Sequence, residues 1–263
     1  MKRTLEEHLK ITSDPTRPTS IDYIQYIFSG FIEMHGDRLF SDDPSIVTGI
    51  GLLEKTPITI IGQNRGKDIK EQIRYHYSMN YPEGYRKSLR AIKQAEKFKR
   101  PIVCFVDTVG AYPGKDAEAR GQSNAIAQNL MEIMYTKVPI ISVIIGSGGS
   151  GGALAISIAD KVIMLENATF GVISPKACAN ILWKDPSREL EAAELLRITP
   201  QDLKNFGFVD KIIDEKYNKD KLEYNFKQTA DKIKLEIKNF LTKSVNVPTD
   251  DLLKNRYERY MKF

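Results

Sequence analysis

The stretch Pro139–Leu154, PIISVIIGSGGSGGAL, constrains the fold more than any other part of the chain. An Ile- and Val-rich run that ends at Gly146 reads as a buried strand. Five of the seven residues from Gly146 to Gly152 are glycine, with Ser147 and Ser150 between them, and Ala153-Leu154-Ala155-Ile156 then begins a helix. Strand, glycine turn and helix start let backbone approach a ligand with no Cβ atom in the way. They also aim unpaired helix N–H groups at negative charge. Three readings fit this grammar. Gly146-x-Gly148-x-x-Gly151 matches the dinucleotide fingerprint, with Glu166 about where a ribose-binding acid belongs. A tight structural turn is the second reading. An oxyanion hole, backbone N–H groups set where charge develops on a reacting carbonyl, is the third. The expected helix, Gly152 to Ala159, is short for a dinucleotide crossover. Ala153 stands where a phosphate loop needs its lysine.

At 263 residues the chain is long enough for one large domain or two small ones. Its net charge of +5 suits an anionic ligand such as a CoA ester and is too small to argue for nucleic acid. Cys104 and Cys178 are the two cysteines. Two can build neither a structural zinc site nor a disulfide scaffold, so they read as buried thiols of a reducing cytoplasm. No uninterrupted apolar run approaches about 18 residues, so no membrane span is expected. Met1–Lys10 carries acids and lacks an apolar core, so no secretory signal is expected.

Residues 1–18 are polar and closed by Pro15 and Pro18. Ile24, Ile27, Phe28 and Phe31 at helical spacing predict an amphipathic helix over Asp22–His35. His35, without a partner nearby in sequence, reads as structural. Ile46–Leu53 and Pro57–Gly62 predict two strands joined at Glu54-Lys55. Gln63-Asn64-Arg65-Gly66-Lys67 leaves the second as a phosphate grip or a solvated loop. Residues 68–81 lack periodicity, and Pro82 opens a helix to about Phe98. Ile102–Val106 is a strand followed by Asp107-Thr108-Val109-Gly110-Ala111-Tyr112-Pro113-Gly114, a second glycine-containing loop. Glu118–Gln122 begins a long helix with Ile126, Leu130, Ile133 and Met134 on one face. Beyond the glycine turn, strands are expected over Lys161–Leu165, Phe170–Ile173 and Val209–Ile213. Helices are expected around Cys178–Trp183, over Glu189–Arg197 and over Gln201–Phe206. From Tyr217 onward Leu222, Phe226, Ala230, Ile233 and Ile237 mark a surface helix, and Leu252–Phe263 a final short one. Strands alternating with helices make this an α/β layered domain.

Several motifs in one order carry a resemblance. They are Pro82-Glu83-Gly84-Tyr85-Arg86-Lys87, Asp107-Thr108-x-Gly110-Ala111-Tyr112-Pro113-Gly114, Arg120-Gly121-Gln122, Gly148-Gly149-Ser150-Gly151-Gly152-Ala153-Leu154, Ile173-Ser174-Pro175 and Ile181-Leu182-Trp183-Lys184-Asp185. Together they resemble the alpha subunit of bacterial acetyl-CoA carboxylase carboxyltransferase, from about Thr19 to Glu215. The closing Arg256-Tyr257-x-Arg259-Tyr260 resembles that subunit's short form. The chain departs from the family's usual residues at Ser147, which is Glu there, at Ala119, also Glu, and at Lys176-Ala177, which are Glu-Gly. Tyr75-His76-Tyr77-Ser78 replaces the segment that carries Asn-Phe-Gly.

The resemblance implies a crotonase/ClpP-like spiral of ββα units with peripheral helices. It divides the chain into a polar segment 1–18, a carboxyltransferase domain 19–215 and a helical extension 216–263. It implies transfer of a carboxyl group from carboxybiotin, on a biotin carboxyl carrier protein, to acetyl-CoA in the cytoplasm, giving malonyl-CoA. It implies a beta subunit as partner, two of each chain in the assembly, with zinc confined to that partner. The backbone N–H groups of Gly151 and Gly152 would form the oxyanion hole for biotin. Gly148 and Gly149 would shape the turn, and Gly110, Ala111 and Tyr112 would help bind substrate. No side chain of this chain need act as the base. The alternatives are a diverged paralogue serving another acyl-CoA or no catalysis, and a serine hydrolase using Ser150, which would need a histidine beside it.

Overall fold

The computed structural model of the protein describes residues 4–215, 217–218 and 223–263; Leu222 of the expected C-terminal helix lies outside them. The strands are β1 (Ser29–Glu33), β2 (Ile46–Leu53), β3 (Thr56–Gln63), β4 (Met79–Asn80), β5 (Ile102–Thr108), β6 (Gly110–Ala111), β7 (Ile140–Gly149), β8 (Lys161–Leu165), β9 (Thr169–Gly171), β10 (Lys211–Ile213) and a separate antiparallel pair, β11 (Tyr217–Asn218) and β12 (Glu223–Tyr224), so the helix expected from Tyr217 onward begins only at Phe226. The main sheet runs in the order β1-β2-β3-β5-β7-β8-β10, with β9 added to the far end of β7. Its first three strands form an antiparallel meander, and from β3 to β10 every pairing is parallel. Parallel strands are covered on both faces and tolerate unbroken apolar runs. IVCFV of β5 and IISVII of β7 are such runs, and every residue in them is fully buried.

The helices are α1 (Leu5–Thr12), α2 (Ser20–Ile27), α3 (Ile69–Arg74), α4 (Pro82–Lys97), α5 (Lys115–Ala119), α6 (Gln122–Met134), α7 (Ser150–Ser157), α8 (Pro175–Trp183), α9 (Glu189–Leu196), α10 (Pro200–Asn205), α11 (Phe226–Ser244) and α12 (Thr249–Tyr260). Among the described residues none is long and apolar enough to cross a membrane. The apolar face of α11, from Ala230 through Ile233 and Ile237 to Phe240, joins the core of the sheet. On α12 the fully buried Arg256 donates to the carbonyls of Ile133 (2.9 Å), Thr136 (2.6 Å) and Val138 (3.0 Å) and pairs with Asp160 (2.8 Å). These bonds satisfy a charge that burial alone would penalise by several kcal/mol. The polar N-terminal segment holds α1, closed by a capping box between Thr4 and Glu7.

The helix expected over Asp22–His35 stops at Ile27, and Ser29–Glu33 is a strand. Phe28 is extended and Gly30 left-handed, with φ +59°. Ile24, Ile27 and Phe28 are buried in either arrangement, so their spacing did not separate the two. Pairing of residues 29–33 with β2 decided it. The long helix expected from Glu118 is divided: α5 ends at Ala119, and Gly121, at φ +83°, turns the chain into α6. Arg120 sits in the break, where its guanidinium donates to Glu83 (2.7 Å). The strand expected over Phe170–Ile173 is shorter and earlier, Thr169–Gly171.

Residues 68–81, which lack periodicity, hold α3 and then an unusual turn. His76, Tyr77 and Ser78 are all left-handed, at φ +51°, +54° and +65°. A left-handed non-glycine residue costs roughly 1–2 kcal/mol. The Thr108 hydroxyl donates to the Ser78 carbonyl, and the next residues, β4, pair with β6. Strain is therefore held at the entrance to the second glycine loop. Ser78→Gly is expected to stabilise the protein by about 1 kcal/mol, partly offset by the freer unfolded chain. The check is a higher urea midpoint at unchanged slope.

Candidate active site

Neighbouring parallel strands β5 and β7 end at the same edge of the sheet, with Thr108 in register with Gly148. The glycine-rich stretch does not leave the sheet at Gly146 as expected. It continues as strand to Gly149, and the helix begins at Ser150, three residues before Ala153. The reason lies in what side chains would meet. A Cβ on Gly146 would strike the Asp107 carboxylate, one on Gly148 the Phe170 ring, and one on Gly149 the Val109 carbonyl. Glycine lets three neighbours close on the strand, and the turn is compressed into Gly149 and a left-handed Ser150 at φ +55°. Gly151 and Gly152 thus fall in the first turn of α7, whose N–H groups have no partner within the helix. Gly149 precedes them and supplies no capping side chain.

The second glycine loop packs on this helix start. A Cβ on Gly152 would lie 2.6 Å from the Ala111 nitrogen and 2.7 Å from the Tyr85 hydroxyl. Gly110 needs its residue type, since its φ is +146°. A buried polar network holds the two loops together. Gln63 Nε2 donates to the Gly152 carbonyl (2.8 Å) and to Asn80 Oδ1 (2.8 Å). The Asn80 carbonyl accepts the Tyr112 amide (2.9 Å) and Gln122 Nε2 (2.8 Å). Burial pushes the fully buried Tyr85 phenol well above its ordinary range, so it stays a neutral donor, reaching Asn80 Oδ1 at 3.4 Å. Behind the strand, Arg65 pairs with Asp107 (3.3 Å) and donates to Ser147 Oγ (3.0 Å) and to the Thr12 carbonyl (3.1 Å). Arg65 is therefore an internal brace, neither a phosphate grip nor part of a solvated loop. Lys67 pairs with Asp22 (2.7 Å).

Of the residues singled out from sequence, Gly148, Gly149, Gly151, Gly152, Gly110 and Ala111 come together at this edge. Gly151 borders a cavity of about 340 Å³, while Gly152 sits one step deeper, buried under Ala111. Tyr112 turns aside and stacks on Tyr81, ring centres 4.3 Å apart. The cavity is apolar, with Leu154, Phe170, Val172, Phe206 and Phe208 in its wall. None of those residues is singled out from sequence as part of a site. Only the fold aims them at the helix start, and no spacing signalled it. Gln63 and Asn80 left one faint mark, polar residues beside apolar strand and helix patterns that prove to be fully buried.

Two alternatives lose their footing. The dinucleotide fingerprint is accounted for by packing at Gly146 and Gly148, and Glu166 accepts the Glu215 amide (3.0 Å). Ser150 has no histidine bonded to it among the described residues. His8 contacts the Ala168 carbonyl (2.9 Å), His35 pairs with Asp42 (3.2 Å), and His76 lies 3.5 Å from Asp43. Cys104 and Cys178 are free and buried, and burial pushes the Cys104 thiol up to about 12.

A family model described as acetyl co-enzyme A carboxylase carboxyltransferase-like matches residues 2–263. The acetyl-coenzyme A carboxylase carboxyl transferase subunit alpha of Shouchella clausii is 54% identical over 256 residues, covering 97% of this chain and 78% of that relative. The subunit of the same name from Bacillus cereus strain G9842 is 50% identical over the same shares. Among solved structures, the transcarboxylase 12S core is similar with a TM-score of 0.69 at 20% identity. There the likeness covers 92% of this chain and 46% of the other, so this chain spans about half of that polypeptide. The Pseudomonas malonate decarboxylase MdcD–MdcE hetero-dimer is similar at a TM-score of 0.64 and 18% identity. At such identities the likeness establishes the fold alone, the crotonase-like fold that the motifs implied.

The glycines separate by substitution. Gly148→Ala and Gly152→Ala are expected to cost about 1–3 kcal/mol or more through overpacking. Gly151→Ala, with only Ile126 at 3.7 Å, is expected to be neutral or slightly stabilising. Thermal unfolding of the three variants checks the contrast.

Proposed function

This chain belongs to the acetyl-CoA carboxylase carboxyltransferase family, and from that premise we propose that it works as the alpha subunit of that enzyme. Together with a partner subunit it transfers a carboxyl group from carboxybiotin to acetyl-CoA, yielding malonyl-CoA for fatty acid synthesis. The partner is a beta subunit carrying the zinc, and the assembly holds two of each chain. Biotin arrives as substrate on its carrier protein, in the cytoplasm. Residues 19–215 form the catalytic body, and the helices beyond 216 brace it.

The observation that carries this reading is the uncapped first turn of α7 beside an apolar cavity. Biotin supplies a ring that is largely apolar and an oxygen that becomes negative when the carboxyl group departs. The Gly151 and Gly152 amides are set to hold that charge, in the role of an oxyanion hole. A cavity walled by Phe170, Val172 and Phe208 offers the ring an apolar surface beside those amides. Gly148 and Gly149 bring β7 close enough to place the helix start. Gly110 and Ala111 support Gly152 from the opposite side, with Tyr112 anchoring their loop. Arg197 lines the cavity but pairs with Asp202 (3.2 Å), and a guanidinium stays protonated and cannot serve as a base. The proton on the acetyl methyl is left to the partner and the substrates.

The test is reconstitution with a purified beta subunit, free biotin and malonyl-CoA, following acetyl-CoA. Turnover is expected from the mixture and from neither subunit alone. Gly152→Ala, which displaces the helix start, is expected to lower it about 100-fold or more. A well-formed complex without turnover would sink the reading.

A further inference from the structure

The loop between β1 and β2 is built to display two apolar side chains. Leu39 and Phe40 are 77% and 67% exposed. Beneath them Asp37 Oδ1 accepts three successive amides, those of Leu39 (2.9 Å), Phe40 (2.8 Å) and Ser41 (3.0 Å). Its other oxygen pairs with Arg86 of α4 (2.7 Å). Asp42 accepts from the Gly36 amide (2.8 Å) and from the fully buried Lys87 (2.6 Å). Arg38 is left-handed at φ +67°. A tip held this way loses little conformational entropy on binding, and a structural loop has no need to keep strain in order to expose a phenylalanine.

Two cations, Arg38 and Arg90, flank the tip. Arg38 donates to the His35 carbonyl (3.0 Å), and Arg90 to the carbonyls of Gly36 (3.2 Å) and His35 (3.0 Å). Neither forms an ion pair among the described residues. A surface that answers this tip has an apolar recess rimmed by carboxylates. The tip also reaches the outer side of the second glycine loop. The Arg120 guanidinium lies over the Phe40 ring (4.9 Å) and over Tyr81 (5.2 Å), and Tyr81 stacks on Tyr112 beside Ala111. Two side chains and two cations fall far short of the roughly 1,200–2,000 Å² that a stable subunit interface buries, and they suit a visitor.

We propose that the Leu39–Phe40 tip is the landing point for the biotin-bearing carrier protein, which meets it with an apolar recess rimmed by acidic residues. This rests on the carboxyltransferase reading above.

The test uses the assembled alpha–beta complex with biotinylated carrier and, separately, with free biotin. The double variant Leu39→Ser, Phe40→Ser is expected to raise KM for the carrier about tenfold or more, the loss of a small hot spot, while kinetics with free biotin stay unchanged. Arg38→Glu is expected to weaken carrier binding, with the defect shrinking as salt rises. An unchanged KM for the carrier, an equal loss with both substrates, or a double variant that no longer assembles with the beta subunit would each overturn the proposal. Calorimetry of the carrier with the wild-type complex separates the two readings. Carrier that binds without carboxyl transfer counts against the reaction, and the tip then stands or falls on whether the double variant loses that binding. Absence of carrier binding to the wild-type complex overturns the tip outright.

Discussion

The edge of the sheet that carries the candidate site depends on backbone lying against backbone with nothing between. Four glycines, Gly146, Gly148, Gly149 and Gly152, stand where a methyl group would strike Asp107, Phe170, Val109 and Ala111. Remove that freedom at one position, and β7 must retreat from β5 or from β9. The first turn of α7 would move with it. Glycine here is costly in conformational entropy, and a chain keeps so many together only where close approach gains more than it loses. What is gained is a helix start with uncapped amides at the edge of an aromatic-walled cavity.

Around this edge the polar groups act as fasteners. Gln63, Asn80, Tyr85 and Gln122 are buried and tie the two glycine loops to each other through amides and carbonyls. Farther out, buried ion pairs hold distant segments to the sheet. Arg17 joins Glu215 (3.0 Å) and the Ile145 carbonyl (2.7 Å), Arg65 joins Asp107, and Arg256 joins Asp160. Such pairs add little net stability over apolar packing, yet breaking one strands a charge in the interior. Their effect is positional. They place the N-terminal segment and the last helix against strands β7 and β8, where apolar contact alone would accept several registers.

Much of the architecture was legible because apolar runs and turn residues agree locally. β2 and β3 with their turn at Glu54-Lys55, the start of α4 at Pro82, and the buried strands β5, β7 and β8 follow from pattern alone. The misreadings share one cause, a local pattern that two structures satisfy equally. Ile24, Ile27 and Phe28 would be buried with or without a helix continuing to His35. Glu118–Gln122 carries no sign that Arg120 is drawn aside by Glu83. The glycines of residues 146–152 read as a turn because isolated glycine favours turns, whereas here four of them are glycine to admit neighbours distant in sequence.

By itself the sequence determined the class of fold, the order of most strands and helices, the two glycine loops and, through motifs kept in order, the family. Those are properties of local propensity and pattern, which each short segment carries alone. Only the tertiary structure decided that the glycine run stays in the sheet to Gly149, that Phe170, Phe206 and Phe208 wall the cavity, that Tyr112 stacks away from it, and that Leu39 and Phe40 are held out to solvent. Most of these are set by contacts between residues tens of positions apart, and such contacts leave no periodic trace in the chain.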